Sequence, residues 1–417
     1  MRRASNPKGV LAGALLAIGA LLSVQGAAAQ SCPPGVAGGP VGFRTGPLDA
    51  VRAAAADGAL PTDVRLAYDR VLEEAEAALK RGPYAVTDKP KAGPSGDKRD
   101  YLSLAPYWWP DPTKPDGLPY VQRDGETNPA RNGDGFDRTR LNRMTDDVLS
   151  LALAAYLTGD ERFAEHAERQ IRVWFVDEKT RMNPNLAYAQ SIPGRTDGRA
   201  IGIIDSRLFQ EVVDAAALMA RTNALDAEVE AGLRQWIGAY AAWLIQSENG
   251  QEERGKENNH GTFYDSQLAH FLVYAGRCDL ALRVIEDSKA RTVSQIKPNG
   301  IMPHEAKRTR SLHYHAFNAE AFLRLSQMAQ ALGTDLYDYE VGASGSVRDT
   351  VHKIAAYNGR LRSWPYPRLD DRGGETVALA LRRSLLIDPS DETVRGALRR
   401  ADETDEDDPL RLYTFGL

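Results

Sequence analysis

Two segments concentrate side chains able to move protons on an anionic substrate. Asn258-Asn259-His260-Gly261-Thr262-Phe263-Tyr264-Asp265 sets an imidazole beside amides where a helix is expected to begin. Free N–H groups and the helix dipole favour an anion at such a point, and His260 can accept a proton near neutral pH. A structural histidine is the alternative, and the asparagine setting favours the functional one. His270, further along the apolar body of the same helix, belongs to packing. The second segment, His304-Glu305-Ala306-Lys307-Arg308-Thr309-Arg310-Ser311-Leu312-His313-Tyr314-His315, is locally basic. Arg308 and Tyr314 stand six residues apart, which is not one face of a regular helix. Only a bend, or a helix that starts between them, can bring them together. The alternative is a charged helix start with a buried tyrosine.

Two further segments carry groups suited to binding. Tyr101, Tyr107, Trp108 and Trp109 fall in a Pro-bounded loop, and such rings offer flat apolar faces with polar edges to a sugar. They serve equally as a hydrophobic plug that packs the loop onto helices. Met182 to Arg199 joins amides at Asn185 and Gln190 to Arg195 and Arg199 on a Gly-rich loop. Guanidinium and amide groups bind carboxylates, the former bidentately. A loop whose Asn and Asp satisfy their own backbone is the competing explanation.

Together these parts suit β-elimination on a uronic acid. Abstracting the C5 proton builds charge beside the C6 carboxylate, so neutralising that carboxylate with Arg, Asn, Gln or protonated His stabilises the enolate-like intermediate. A Tyr or His takes the C5 proton and a Tyr protonates the leaving glycosidic oxygen. Neither metal nor cofactor is called for. Tyrosine is a poor base at its usual pKa of about 10, so a cation such as Arg308 is expected to lower it.

The elements that must position these residues are helical. Apolar residues recur at three-to-four spacing from about Pro61 until Gly82 and Pro83 stop the helix, and again at 137–158, 160–176, 206–222, 227–246, 261–276, 279–296, 310–332, 347–358, 372–387 and 391–400. Gly159-Asp160 and Gly276 to Asp279 read as short turns in which Gly ends one helix and Asp caps the next. Residues 84–135 are rich in Pro, Gly and aromatics and form a long irregular segment, and alternating strands are absent. Helix pairs in succession suggest a superhelical array or a closed ring; without a fixed-period repeat, an all-α (α/α) toroid of about six or seven pairs is preferred. The domain spans 61–400, after a flexible leader at 30–60 and before an acidic tail at 401–417.

A formal net charge of −5 argues against a nucleic-acid partner. It also requires positive charge to be concentrated locally if the substrate is anionic. Residues 1–29 have a basic start, an apolar run too short to span a bilayer and an Ala27-Ala28-Ala29 cleavage site, the layout of a secretory signal peptide. No later segment is apolar enough to span a membrane, and a periplasmic or secreted location is expected. Cys32 and Cys278 are the two cysteines, and their pairing stays open at this stage.

The motifs Tyr-Leu-Ser-Leu-Ala-Pro-Tyr-Trp-Trp-Pro, Met-Asn-Pro-Asn-Leu to Ile-Pro-Gly-Arg, Asn-Asn-His-Gly-Thr-Phe-Tyr-Asp and Glu-x-x-Arg-Thr-x-Ser-x-x-Tyr resemble the alginate lyase superfamily of α/α-toroid fold. They look closer to polysaccharide lyase family 38 than to the mannuronate-specific family 5, over about residues 90–385. The resemblance implies Tyr314 as catalytic acid and, in syn-elimination, also base; His260 as neutraliser or as base in anti-elimination; and Arg308 as carboxylate holder or tuner of Tyr314. It also implies an amide neutraliser among Asn185, Gln190 and Asn259. By residue type, Tyr107, Trp108, Trp109, Arg195, Arg199, Arg310 and His315 are expected around an anionic polysaccharide. Ala187 departs from the polar residue the pattern leads one to expect. The polymer, alginate foremost or glucuronan, stays open. Two other classes compete. An inverting hydrolase needs two carboxylates about 6.5–9.5 Å apart, with Asp111, Asp197, Asp265 and Glu305 as candidates. A non-catalytic glycan-binding protein would use the aromatic loop alone.

Overall fold

Apolar stripes repeating every three to four residues fold as helices with one buried face, and the widest stripes mark those buried all round. In the computed structural model, which describes residues 32–401 and 409–416 apart from 37, 124, 370–372 and 415, these are the inner helices of an all-α toroid. Five inner–outer pairs follow one another: α3 (Arg138–Thr158) with α4 (Glu161–Ile171), α5 (Phe209–Arg221) with α6 (Ala227–Gln246), α8 (Asn259–Tyr274) with α9 (Cys278–Gln295), α11 (Ser311–Ala331) with α12 (Val347–Ala355), and α13 (Gly374–Leu385) with α14 (Glu392–Arg399). Inner helices α3, α5, α8, α11 and α13 touch in that order. Between α13 and α3 lie the terminal helices α1 (Thr45–Ala56), α2 (Thr62–Ala78) and α15 (Leu410–Tyr413). No helix among the described residues is long and apolar enough to cross a membrane.

Turn chemistry sets the pairs. Gly159 ends α3 in the left-handed region (φ 75°), and the Asp160 carboxylate caps α4 by accepting from the Arg162 N–H at 3.0 Å. At the second turn the expected Asp279 cap is not used. Helix α9 begins at Cys278, and Asp279 instead pairs with Arg277 at 3.2 Å.

The leader expected to be flexible at 30–60 is, over its described part, built into the core. Leu48 and Val51 of α1 are fully buried. The Val41 and Gly42 amides donate to Asp214 at 2.9 and 3.1 Å, and the Gly42 carbonyl accepts from Arg383 at 2.8 Å. A Cβ on Gly42 would stand 2.0 Å from the Asp214 carboxylate, so only glycine lets the backbone approach so closely. Cys32 is joined to Cys278 at the start of α9 by a disulfide. The tail contributes too: Tyr413 stacks on Phe43, ring centroids 4.7 Å apart. Residues 1–29, read as a signal peptide, and the acidic stretch 402–408 lie outside the described residues.

The irregular segment holds short strands that the sequence pattern does not reveal. Strand β1 (Leu102–Leu104) pairs in parallel with β4 (Tyr188–Ser191), and β2 (Trp108–Trp109) pairs antiparallel with β3 (Val121–Gln122). The β1–β4 ladder thus ties the aromatic loop to the Met182–Arg199 segment. Two further short helices matter for the site: α7 (Glu248–Arg254) and α10 (Pro303–Ala306).

Candidate active site

The first turn of α8 presents two of the singled-out residues. Asn258 caps the helix, its side-chain oxygen accepting from the His260 N–H at 3.3 Å. Asn259 is buried, and both its backbone N–H and its side-chain amide donate to Glu305, at 2.7 Å and at 3.0 and 3.1 Å. Glu305 itself is fully buried on α10, and burial raises its pKa against the opposing effects of Asn259, Arg308 and His260. His260 is partly exposed, with Nδ1 2.7 Å from a carboxylate oxygen of Glu253 on α7. Gly261 explains its own place in the motif. A Cβ there would meet the Lys256 carbonyl at 2.1 Å and the Arg291 guanidinium at 2.2 Å. Arg291 needs that space to bond the Arg254 and Lys256 carbonyls and Asp265, at 2.8, 2.6 and 2.7 Å.

Arg308 and Tyr314 do converge. Helix α10 stops at Ala306 and α11 starts at Ser311, so the chain breaks between them. The Arg308 guanidinium carbon stands 3.6 Å from the centroid of the Tyr314 ring. The expected lowering of the Tyr314 pKa is not the net outcome. Burial dominates and pushes the hydroxyl up to about 12, Arg308 opposes, and the nearby Tyr107 hydroxyl adds to the rise. At neutral pH Tyr314 therefore holds its proton.

The remaining expected residues divide. Tyr107 interacts with Tyr314 and is half-buried. Trp108 and Trp109 are half-buried and each faces a guanidinium: Arg195 stands 5.1 Å from the Trp108 ring and Arg123 5.0 Å from that of Trp109. Arg195 is exposed and donates to the Tyr120 carbonyl at 2.7 Å. Gln190 is held at φ 49°, a left-handed conformation unusual outside glycine. Arg199 donates to its side-chain and backbone oxygens at 2.9 and 3.1 Å, and burial lowers the Arg199 pKa. Arg310 is half-buried in a bridge to Arg368. Two residues have structural partners instead. His315 is fully buried, its ring between the Ser311 carbonyl (2.9 Å) and the Met302 N–H (3.1 Å), so it is no substrate ligand. Asn185 braces its own loop, accepting from the Ala187 N–H at 3.1 Å and donating to Asp100 at 3.4 Å. His270, read as packing, is buried against Asp214 at 3.1 Å.

Sequence reasoning missed a cluster of arginines. Arg131, Arg138 and Arg207 gather around the buried Asp205, which also accepts from Tyr101 at 3.1 Å and Ser103 at 2.8 Å. Arg131 also acts on Tyr107, which connects the cluster to Tyr314. Burial lowers the pKa of Arg131 and of Arg207. The Nε groups of Arg131 and Arg138 are buried with no hydrogen-bond partner in the protein. This is the local positive charge that an anionic substrate requires of a chain with net charge −5. The three come from three separate helical segments, Pro129–Asn132, Arg138–Thr158 and Ala200–Leu208, so no compact motif announces them.

A family model described as alginate lyase matches residues 85–364. The chain belongs to the alginate lyase family. Membership makes it a polysaccharide lyase. An alginate lyase from Bacteroides ovatus is 36% identical, with a TM-score of 0.83 over 91% of this chain and 99% of that one. Alginate lyase A1-III from Sphingomonas species A1 is 16% identical, with a TM-score of 0.55 over 87% and 93%, and shares the fold. A search of curated proteins returned no match.

Proposed function

We propose that this lyase cleaves alginate by β-elimination, with Tyr314 as the acid. The carrying observation is the half-buried Tyr314 ring, packed against Arg308 and beside Tyr107, whose hydroxyl holds its proton. The similarity to the Bacteroides ovatus alginate lyase supports the choice of polymer. In the reaction, arginine donors of the Arg131–Arg138 cluster and the amide of Asn259 or Gln190 neutralise the uronate carboxylate. His260 takes the C5 proton, electrons from that C–H bond form the C4–C5 double bond, and the C4–O bond breaks. Tyr314 gives its proton to the departing oxygen. On this reading His260 is the base and anti-elimination is favoured, because a tyrosine that keeps its proton is a poor base.

Neither rival class gains from the geometry. Asp265 is engaged by Arg291 at 2.7 Å, and Asp111 caps its own turn at Thr113. The aromatic loop offers its indoles to arginines. The leader sequence and the Cys32–Cys278 disulfide support export to the periplasm or beyond. A panel of polymannuronate, polyguluronate, glucuronan and a neutral glycan tests the function. Absorbance from unsaturated ends should rise with alginate blocks, most with polyguluronate. A rise with glucuronan alone would move the substrate, and no rise with any would remove the lyase reading.

A further inference from the structure

We infer that Glu253 is a positioning residue that fixes His260 as a proton acceptor through Nε2. The inference rests on the lyase reading above, in which His260 is the base. The Glu253 side chain is 1% exposed and sits in the last turn of α7, seven residues before the histidine. One carboxylate oxygen lies 2.7 Å from His260 Nδ1, and the other is buried with no hydrogen-bond partner in the protein. A buried carboxylate without a donor is costly, so the Nδ1–Glu253 contact is best made with the proton on Nδ1. A neutral imidazole with Nδ1–H then carries its lone pair on Nε2. His260 remains 19% exposed, whereas Glu253 is sealed behind it. The arrangement is that of a base oriented by a third group that itself never meets the substrate.

The surrounding structure holds this pair in register. Helix α7 is capped by Ser247, which accepts from the Gly250 N–H at 3.0 Å. Gly250 packs against the preceding helix so closely that a Cβ would meet the Leu244 carbonyl at 1.9 Å. Arg291, from α9, then bonds the end of α7 through the Arg254 carbonyl and the body of α8 through Asp265. Glu253 and His260 are therefore carried on two elements stapled by one guanidinium. Glu305 also acts on His260, but it is occupied by Asn259.

The test is nitrogen NMR on the full chain labelled with 15N-histidine, with His260 assigned by the signals lost in His260→Ala. At about pH 8 the parent should show His260 with Nδ1 protonated and Nε2 bare. In Glu253→Gln, whose amide can donate to Nδ1, the opposite tautomer should grow. Turnover on polyguluronate should then fall by about 100-fold or more while KM moves less than about threefold. Adding Glu253→Gln to His260→Ala should cost nothing further, because the carboxylate acts through the ring. An Nε2-protonated ring in the parent, or a full extra loss in the double variant, would overturn the inference. The tautomer is read without substrate, so absence of unsaturated product from the parent would count against the lyase reading alone.

Discussion

The guanidinium of Arg308 lies against the face of the Tyr314 ring, 3.6 Å from its centroid, although the two are six residues apart in the chain. The break between α10 and α11 makes this possible, and the contact works against burial rather than overcoming it. Removing Arg308 should therefore raise the Tyr314 pKa further and make it a weaker acid. Arg308→Ala is expected to lower kcat by about 10–100-fold, a scale set by general acid catalysis. Arg308→Lys should recover only part, since an ammonium lacks the flat guanidinium that stacks. Steady-state kinetics of the two variants check this; equal kcat in both and the parent would remove Arg308 from the account.

Arg131 brings a buried Nε without a protein partner to the site and acts on Tyr107. If it binds the uronate carboxylate, Arg131→Ala should raise KM for alginate by about tenfold, the value of one charge-assisted hydrogen bond. Asp205 would keep its bonds from Tyr101 and Ser103, so the fold should persist. Calorimetric binding to an alginate oligosaccharide, with thermal melting alongside, separates lost affinity from lost structure.

His315 gives a pH dependence of stability, not of chemistry. Burial pushes its pKa down to about 4 from the usual 6.5. The folded state thus favours the neutral ring. Its contribution is complete above pH 6.5 and is lost as the pH falls from there through the folded pKa. The difference corresponds to about 3 kcal/mol. Urea unfolding at about pH 7 and pH 4.5 should show the loss, and His315→Asn should be less sensitive over that interval although less stable at pH 7.

The Cys32–Cys278 disulfide closes a loop spanning a sequence separation of 246 residues and pins the leader to α9. Loop-closure entropy assigns a link across so long a loop about 5 kcal/mol. Reductant should lower the melting temperature of the parent and leave Cys32→Ser unchanged. An identical response in both would mean that the leader is held by its Asp214 and Arg383 bonds alone.

Much of the toroid was legible because inner helices carry apolar residues at helical spacing. The 227–246 helix is read to the residue. Helix α1 was not, since Gly and Pro upstream mask a short Ala-rich helix whose burial depends on partners far along the chain. The short strands escaped for a different reason: two to four residues are too few to show alternation. At the candidate site, His260, Arg308 and Tyr314 stood out by type, and a break between Arg308 and Tyr314 was the condition for their contact. Glu253 and the Arg131–Arg138–Arg207 cluster were not, because tertiary packing alone brings them there. The sign of the Tyr314 pKa shift failed for a related reason: neighbouring charge can be read from sequence, but burial cannot.

Elimination with Tyr314 as the acid is tested most directly by Tyr314→Phe, assayed on alginate for the absorbance of unsaturated ends with oligosaccharide binding measured in parallel. The parent should generate the absorbance, and the variant should lose at least about 1,000-fold in rate while binding with near-parental affinity. Near-parental turnover by Tyr314→Phe, or cleavage by the parent without any unsaturated product, would contradict it.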